Sequence, residues 1–191
     1  PYTTLFRSSI VGSSRDQRLS ANTFLVLEGR EPGDFEFEAL VQLDGDNNSG
    51  VQYRSRVLDA AAFRVGGYQC DLHPSPEYAA MLYDERGAGI VCKHGQFVRW
   101  TDSAREELGA LRKPRAVDLS QWIKLRIVAM GDLVWHELNG VVVTAVEDRR
   151  STAPRAGVIA LQVHSGTPMV VRCREPKLRE WRDVAAMQRA V

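Results

Sequence analysis

Cysteine is scarce and does not pair off. It occurs three times, at Cys70, Cys92 and Cys173, with no CxxC or CxxxC spacing, which argues against a disulfide framework or a zinc site. Each lies in an apolar stretch and reads as a small buried hydrophobe. Neither sign of charge dominates: Lys plus Arg number 25 against 24 for Asp plus Glu. That balance leaves no electrostatic footprint for nucleic acid or an anionic membrane. No apolar run is long enough to span a bilayer, so membrane insertion by a helix is not expected. An HExxH motif, a fixed-period repeat and a low-complexity tract are all missing as well. What remains is a chain of 191 residues, 44% hydrophobic and 26% charged, the length of one domain with a sizeable core.

The dominant signal is period two. In "DFEFEALVQL", Phe35, Phe37, Ala39, Val41 and Leu43 share a face against Glu36, Glu38, Leu40 and Gln42, the mark of a strand with one side in a core. "IKLRIVAM" sets Ile123, Leu125 and Ile127 against Lys124 and Arg126, and "VIALQVHS" sets Ile159, Leu161 and Val163 against Ala160, Gln162 and His164. "PMVVRCRE" is a further strand candidate. Turn signals fall at "DGDNNSG" (44–50), "GGY" (66–68) and "LNGVVV" (138–143), the last placing Asn-Gly between apolar runs as a hairpin does. Many short strands between such turns predict a β-sandwich or barrel.

Two segments depart from this pattern. "TDSAREELGALRKP" reads as a short helix, with Ser103 and Glu106 in capping-box spacing and Pro114 beyond. The tail from 181 to 191, "WRDVAAMQRAV", is helix-like but short. The first eight residues, "PYTTLFRS", back-translate as CCC TAC ACG ACG CTC TTC CGA TCT, which resembles the end of a sequencing adapter. Pro1–Ser8 are therefore read as foreign and residues 9–180 as a single domain.

Five phrases in order, "GDFEFEALVQLDGDNNSGVQYRSR", "VGGYQCDLH", "YAAMLYDERGAG", "WIKLRIVAMGDLVWHELNG" and "GVIALQVHSGTPMVVRCREPKL", resemble the 3-keto-disaccharide hydrolase domain family from about Ile10 to Leu178. The resemblance implies a concanavalin A-like jelly roll, a sandwich of two antiparallel sheets with short helical excursions. It also implies a secreted or periplasmic bacterial protein whose partner is an oxidised sugar or glycoside. Family members begin with a segment like "LFNGKDLSGW" and one more strand, which this chain lacks.

Strand parity proposes a functional face. Val51, Tyr53 and Ser55 take one side of their strand, Gln52, Arg54 and Arg56 the other. Gln69, Asp71 and His73 alternate with Tyr68, Cys70 and Leu72, and Gln162 and His164 with Leu161 and Val163. Glucanases of similar fold carry catalytic carboxylates at this alternate spacing. A 3-keto sugar has an acidic proton on C2, because the resulting carbanion delocalises onto the C3 ketone. Its removal lets the enolate expel the C1 substituent, and water then adds to the glycal. That route needs a base near C2, a donor or cation at the C3 oxygen and an acid for the departing oxygen. Asp71 or His164 is the candidate base, Arg54 or His73 the enolate stabiliser, and Glu85 or the other member of the first pair the acid. Direct hydrolysis would need two facing carboxyls, for which Asp71 and Glu85 are the available pair.

Gln52, Gln69, Tyr83, His136 and Gln162 are the accompanying substrate-binding candidates. His136 matches a histidine in the family's "QHYINGV"-like phrase. Glu85, in "YDERG", is alternatively a loop ion-pair partner of Arg86, and Tyr68 is either a sugar platform or core. His94 reads as an exposed loop residue. No cofactor is indicated outright; a divalent metal held by Asp71, His73 and His164 is an open option. A non-catalytic, lectin-like module is the alternative function.

Overall fold

The computed structural model describes residues 2–5, 9–16, 18–111 and 117–181. These residues form fifteen strands and, among themselves, no helix. In chain order the strands are β1 (Thr3–Thr4), β2 (Ile10–Ser13), β3 (Thr23–Val26), β4 (Phe35–Asp44), β5 (Ser49–Asp59), β6 (Arg64–Leu72), β7 (Leu82–Glu85), β8 (Gly89–Cys92), β9 (Gln96–Trp100), β10 (Arg105–Ala110), β11 (Ile123–Met130), β12 (Leu133–Leu138), β13 (Val141–Asp148), β14 (Val158–Val163) and β15 (Val170–Glu180). They make two sheets packed face to face. The larger runs β1-β15-β4-β11-β12-β13-β9-β10, with β2 also on β15, and the smaller runs β3-β14-β5-β6-β7-β8. Every pairing is antiparallel except one: β13 lies parallel to β9. The two are separated in sequence by β10–β12, a connection long enough to bring a strand back in the same direction.

The alternations do the packing. Phe35, Phe37, Ala39, Val41 and Leu43 of β4 all point inward, as do Leu125 and Ile127 of β11 and Tyr53, Tyr68, Cys70 and Leu82 of the smaller sheet. Tyr53 sits at the centre, edge to face with Phe35, Tyr68 and His136 at centroid distances of 5.7–5.8 Å. All three cysteines are buried and free, the role their apolar surroundings indicate. The Asn139-Gly140 turn joins β12 to β13 with φ of 50° and 78°, both positive as a type I′ hairpin requires.

Residues 105–110 are an edge strand, not the helix that capping-box spacing suggests. Ser103 serves a turn: the Thr101 hydroxyl oxygen accepts from the Ser103 and Ala104 amides at 3.4 and 3.1 Å. The turn folds β10 back on β9, where Arg99 faces Glu106 and the Gln96 amide donates to Glu107 at 2.9 Å. Such cross-strand pairing overrides a weak helical preference in so short a segment. The rest of that expectation, residues 112–114, and the helix expected over the tail from 182 lie outside the described residues.

"GGY" is not a turn either; Gly66 and Gly67 lie inside β6. Their partner strand explains them. Register breaks between Tyr53 and Arg56 of β5, where Arg54 has φ of 46°. The resulting β-bulge turns Ser55 to the same side as Gln52, reversing the simple alternation. Gly67 (φ 131°) and Gly157 (φ 153°) face the bulge from either side, each with its Cα against the backbone around Ser55. A side chain at Gly157 would run into the Ser55 carbonyl oxygen. Gly157→Ala is therefore expected to cost about 3 kcal/mol or more in urea unfolding. Gly29→Ala, at φ 74° with open space around it, is expected to cost only about 1 kcal/mol.

Candidate functional site

Because the inner face of the smaller sheet fills the core, its polar residues are driven to the outer face. Pairing sets them in rows. Ala160, Gln52, Gln69, Tyr83 and Ile90 stand side by side across five strands. Gly50 lies beside Asp71 one row over, and Gly67 beside Glu85 on the other side. Over these rows lies a trough of about 390 Å³ lined by Gln69, Asp71, His73, Tyr83, Glu85, Gln162 and His164. That volume suits a small polar ligand.

Loops close its ends. Asn22, Asn48 and Tyr78 also line the trough. The Asn47 amide donates to the Ser165 and Thr167 carbonyls at 3.0 and 2.7 Å, and the Ser165 amide donates to Asn22 at 3.0 Å. Three connections are thereby tied around His164. None of Asn22, Asn48 or Tyr78 was among the sequence candidates. They lie in loops, where no period exists to betray a direction.

Asp71 is the electrostatic centre. It is 2% exposed, and burial pushes its carboxyl up to about 7; the Glu85 carboxylate adds to the rise and a hydrogen bond from the Gln69 amide opposes it. Burial also raises Glu85, tempered by Arg86 and His164. Among the described residues Glu85 makes no ion pair with Arg86. The turn is held instead by Asp84, which accepts from the Ala88 amide at 3.1 Å, leaving Glu85 to face the trough.

The two imidazoles have opposite roles fixed by the backbone. His73 Nδ1 accepts from the Ser75 amide at 3.0 Å, so its proton sits on Nε2. Burial and the nearby His164 keep it neutral by lowering its pKa. His164 Nδ1 lies 2.7 Å from the Ser165 carbonyl oxygen and so carries a proton there, which leaves Nε2 as an acceptor in the neutral ring.

Under the trough floor runs a chain of buried amides. Gln52 Nε2 donates to Gln69 Oε1 at 2.8 Å, and Gln69 Nε2 donates to Asp71 and, at 3.3 Å, to Gln162. Gly50 makes this possible. A Cβ there would lie 2.6 Å from the Gln69 side chain, so only glycine leaves the seat over which that amide lies.

Three sequence candidates are not in the trough: Gln52, expected to bind substrate, is fully buried beneath the floor and does not line it, and the other two lie farther away. Arg54 is sealed at the bulge, where its guanidinium donates to the Gly33 and Gly131 carbonyls at 2.8 and 2.9 Å and pairs with Asp34 at 3.0 Å. The bulge turns it away, so it cannot reach a ketone oxygen over Asp71. His136 points into the core. Its Nδ1 bonds the Ala80 carbonyl at 2.8 Å, its Nε2 accepts from Tyr53 at 2.8 Å, and burial depresses its pKa to about 4. His94, expected in an exposed loop, is buried and bonds the Ala79 carbonyl at 2.7 Å, while Tyr68 is core. Among the described residues no three His, Cys, Asp or Glu side chains come together to hold a metal ion. Asp71, His73 and His164 share the trough without forming such a set.

The family model described as "3-keto-alpha-glucoside-1,2-lyase-like domain" matches residues 8–179. No curated protein matches the chain. Solved structures show the same sandwich. A protein from Parabacteroides distasonis ATCC 8503, provisionally described as a glycosyl hydrolase, is 17% identical over 95% of this chain and 100% of its own, with a TM-score of 0.60. The carbohydrate binding module CBM66 from Bacillus subtilis is 15% identical over 94% and 95%, TM-score 0.57. A Bacillus subtilis protein with a galectin-like fold is 10% identical over 94% and 98%, TM-score 0.58.

Asp71 and His136 act in opposite directions on stability. Between about 3.8 and about 7 the native state holds a proton on Asp71 that the unfolded chain has lost, so its burial destabilises progressively as pH rises through that window. His136 is neutral in the native state down to about 4, whereas the unfolded chain protonates near 6.5, so stability is lost as pH falls through that range. The contribution is roughly 4 kcal/mol for Asp71 and roughly 3 kcal/mol for His136 when complete. Urea unfolding of the native chain should therefore change little from about pH 4 to about pH 7 from these two groups, which offset each other. Asp71→Asn should be more stable than the native chain at about pH 7.5, by about 2 kcal/mol, and lose stability steadily on acidification. A destabilised Asp71→Asn at that pH would contradict the desolvation account.

Proposed function

The chain belongs to the 3-keto-alpha-glucoside-1,2-lyase-like domain family, and from that premise we propose that the trough binds a 3-keto-glycoside and cleaves it by elimination followed by hydration. Membership makes the function a carbohydrate-related one. The observation that carries the finer reading is a carboxyl raised to about 7 on the floor of a polar trough, with a second raised carboxyl farther along the same trough, on the other side of the Gln69–Tyr83 row. A catalytic group works best with a pKa near the operating pH, and paired carboxyls in dry surroundings are a common way to obtain one.

Ionised Asp71 takes the proton from C2. The C–H electron pair moves to form the C2–C3 double bond, and the ketone oxygen becomes an oxyanion. His73, neutral and protonated on Nε2, is the donor suited to that oxygen. The enolate then collapses to a C1–C2 double bond and expels the C1 oxygen, which takes its proton from Glu85. Water adds to C1 and a proton returns to C2, so the net change is hydrolysis. His164 Nε2, Gln162 and Asn48 are left to hold sugar hydroxyls. The Asn48 side-chain oxygen has no donor among the described residues, which suits a hydroxyl. A secreted or periplasmic location is part of the proposal, checked by fractionating producing cells.

Activity needs Asp71 charged and Glu85 neutral, the minor of the two singly protonated forms, because the charge on Glu85 helps hold Asp71 up. The pH profile of kcat/KM on a 3-keto-disaccharide is expected to be bell-shaped, with its upper limb near 7. Asp71→Asn should lower the rate by about 10²- to 10⁴-fold and abolish solvent deuterium incorporation at C2. Glu85→Gln should keep that exchange while slowing release of the aglycone. Exchange that survives in Asp71→Asn would remove Asp71 as the base.

A binding module that holds glycans without cleaving them is the second reading, favoured by the similarity to a carbohydrate binding module. Binding of 3-keto-trehalose with no release of 3-keto-glucose would select it.

A further inference from the structure

We propose that Ser55, Gln52 and Gln69 form a buried two-way hydrogen-bond switch, reversing direction as Asp71 loses or gains its proton. The three residues are each no more than 2% exposed, so no water competes for their polar atoms. In the direction seen here the Ser55 hydroxyl donates to Gln52 Oε1 at 2.7 Å, Gln52 Nε2 donates to Gln69 Oε1 at 2.8 Å, and Gln69 Nε2 donates to the Asp71 carboxylate. Every donor then points toward the negative charge, the arrangement an ionised Asp71 requires.

The far end of the chain makes the opposite direction equally satisfied. Ser55 Oγ also lies 2.9 Å from the Tyr53 carbonyl oxygen and 3.2 Å from that of Tyr68. One hydroxyl proton thus has three acceptors within reach. When it turns to a backbone carbonyl, Ser55 Oγ becomes an acceptor for Gln52 Nε2. Gln52 Oε1 then accepts from Gln69 Nε2, and Gln69 Oε1 accepts from a protonated Asp71. Each amide gets there by rotating about its Cγ–Cδ bond, and no proton travels along the chain. Reversal also sets Gln69 Oε1 against Gln162 Oε1, which now lies 3.3 Å from Gln69 Nε2, so the Gln162 amide must turn with it and donate instead; with that turn neither direction leaves a buried amide of the chain unpaired, the condition for a buried network to be stable.

The β-bulge is what supplies this terminus, since it alone brings Ser55 onto the face of Gln52. The groups that titrate around Asp71 are Glu85 and Tyr83 on β7, His73 beyond β6 and His164 beyond β14, while β5 offers it only the uncharged Gly50 and Gln52. The chain therefore answers to Asp71 and not to a nearer charge. The catalytic use of such a switch rests on reading Asp71 as the base. Once that carboxyl takes the C2 proton, reversal would let it donate to Gln69 and hold the proton until it is returned. Ser55 and Gln52 are then positioning residues that never touch substrate.

The test needs no substrate. Side-chain amide resonances of ¹⁵N-labelled glutamine are followed from about pH 5 to about pH 9. Gln52 and Gln69 should move together with one midpoint, near that of the Asp71 carboxyl, and Asp71→Asn should flatten both. Ser55→Ala should at least halve the Gln52 response, and Ser55→Thr, which keeps the hydroxyl, should restore it. Gln52 resonances that stay still while those of Gln69 titrate would overturn the switch, even if no Ser55 variant folds. So would an undiminished Gln52 response in Ser55→Ala. Failure of the catalytic reading shows separately, as C2 exchange that persists in Asp71→Asn.

Discussion

The hydrogen bond from Gln69 to Asp71 is the one interaction that lets a carboxylate keep a charge at neutral pH while almost cut off from water. It depends on a series of placements, each with a physical cause. Gly50 has no side chain, so the Gln69 amide can lie over it. Gln52 holds the far end of that amide, and Ser55 holds Gln52. Ser55 reaches Gln52 only because the strand bulges, and the bulge exists only because Gly67 and Gly157 allow close backbone approach. Arg54, drawn into that bulge, is tied to Gly33, Gly131 and Asp34. The guanidinium that looked catalytic is the anchor of the geometry that makes the site.

The smaller sheet divides its labour by face. Inward, Tyr53 and Tyr68 pack edge to face, and Tyr53 donates to the neutral His136. That buried network ties β5 to β12 of the opposing sheet. Tyr68 does the same for β13, donating to Asp148, which Arg150 grips through its backbone amide, Nε and Nη2 while stacking 3.8 Å over Trp100. Outward, the neighbours of Tyr53, Tyr68 and Cys70 are Gln52, Gln69 and Asp71. A rigid inner face is what holds the outer rows in register, and precise placement of acid, base and donor is what the proposed elimination would require. The fold itself is shared with proteins described as binding modules and as hydrolases, so the site and not the sandwich decides between them.

Period-two alternation in β4, β11 and β14 was enough to establish an all-β sandwich, because a strand that hides one face must repeat every second residue. The same parity placed Gln69, Asp71, His73, Gln162 and His164 on one surface, since these strands run regularly through the sheet. It failed for Arg54, where one inserted residue reverses the facing of the side chains beyond it, and it gave no direction for His136, put forward on the resemblance alone, because apolar Val134 and Trp135 stand on both faces of its strand. It also failed at residues 105–110, where a local capping pattern lost to pairing with β9. The loop residues Asn22, Asn48 and Tyr78, and the seat at Gly50, were decided only by tertiary structure. Loops carry no period, and a glycine in a sequence does not say which distant side chain will occupy the space it leaves. Sequence by itself therefore determined which faces are wet and dry, because local alternation and burial dictate it. The fold alone decided how those faces meet, which groups lose their water and hence which carboxyl is held near neutrality.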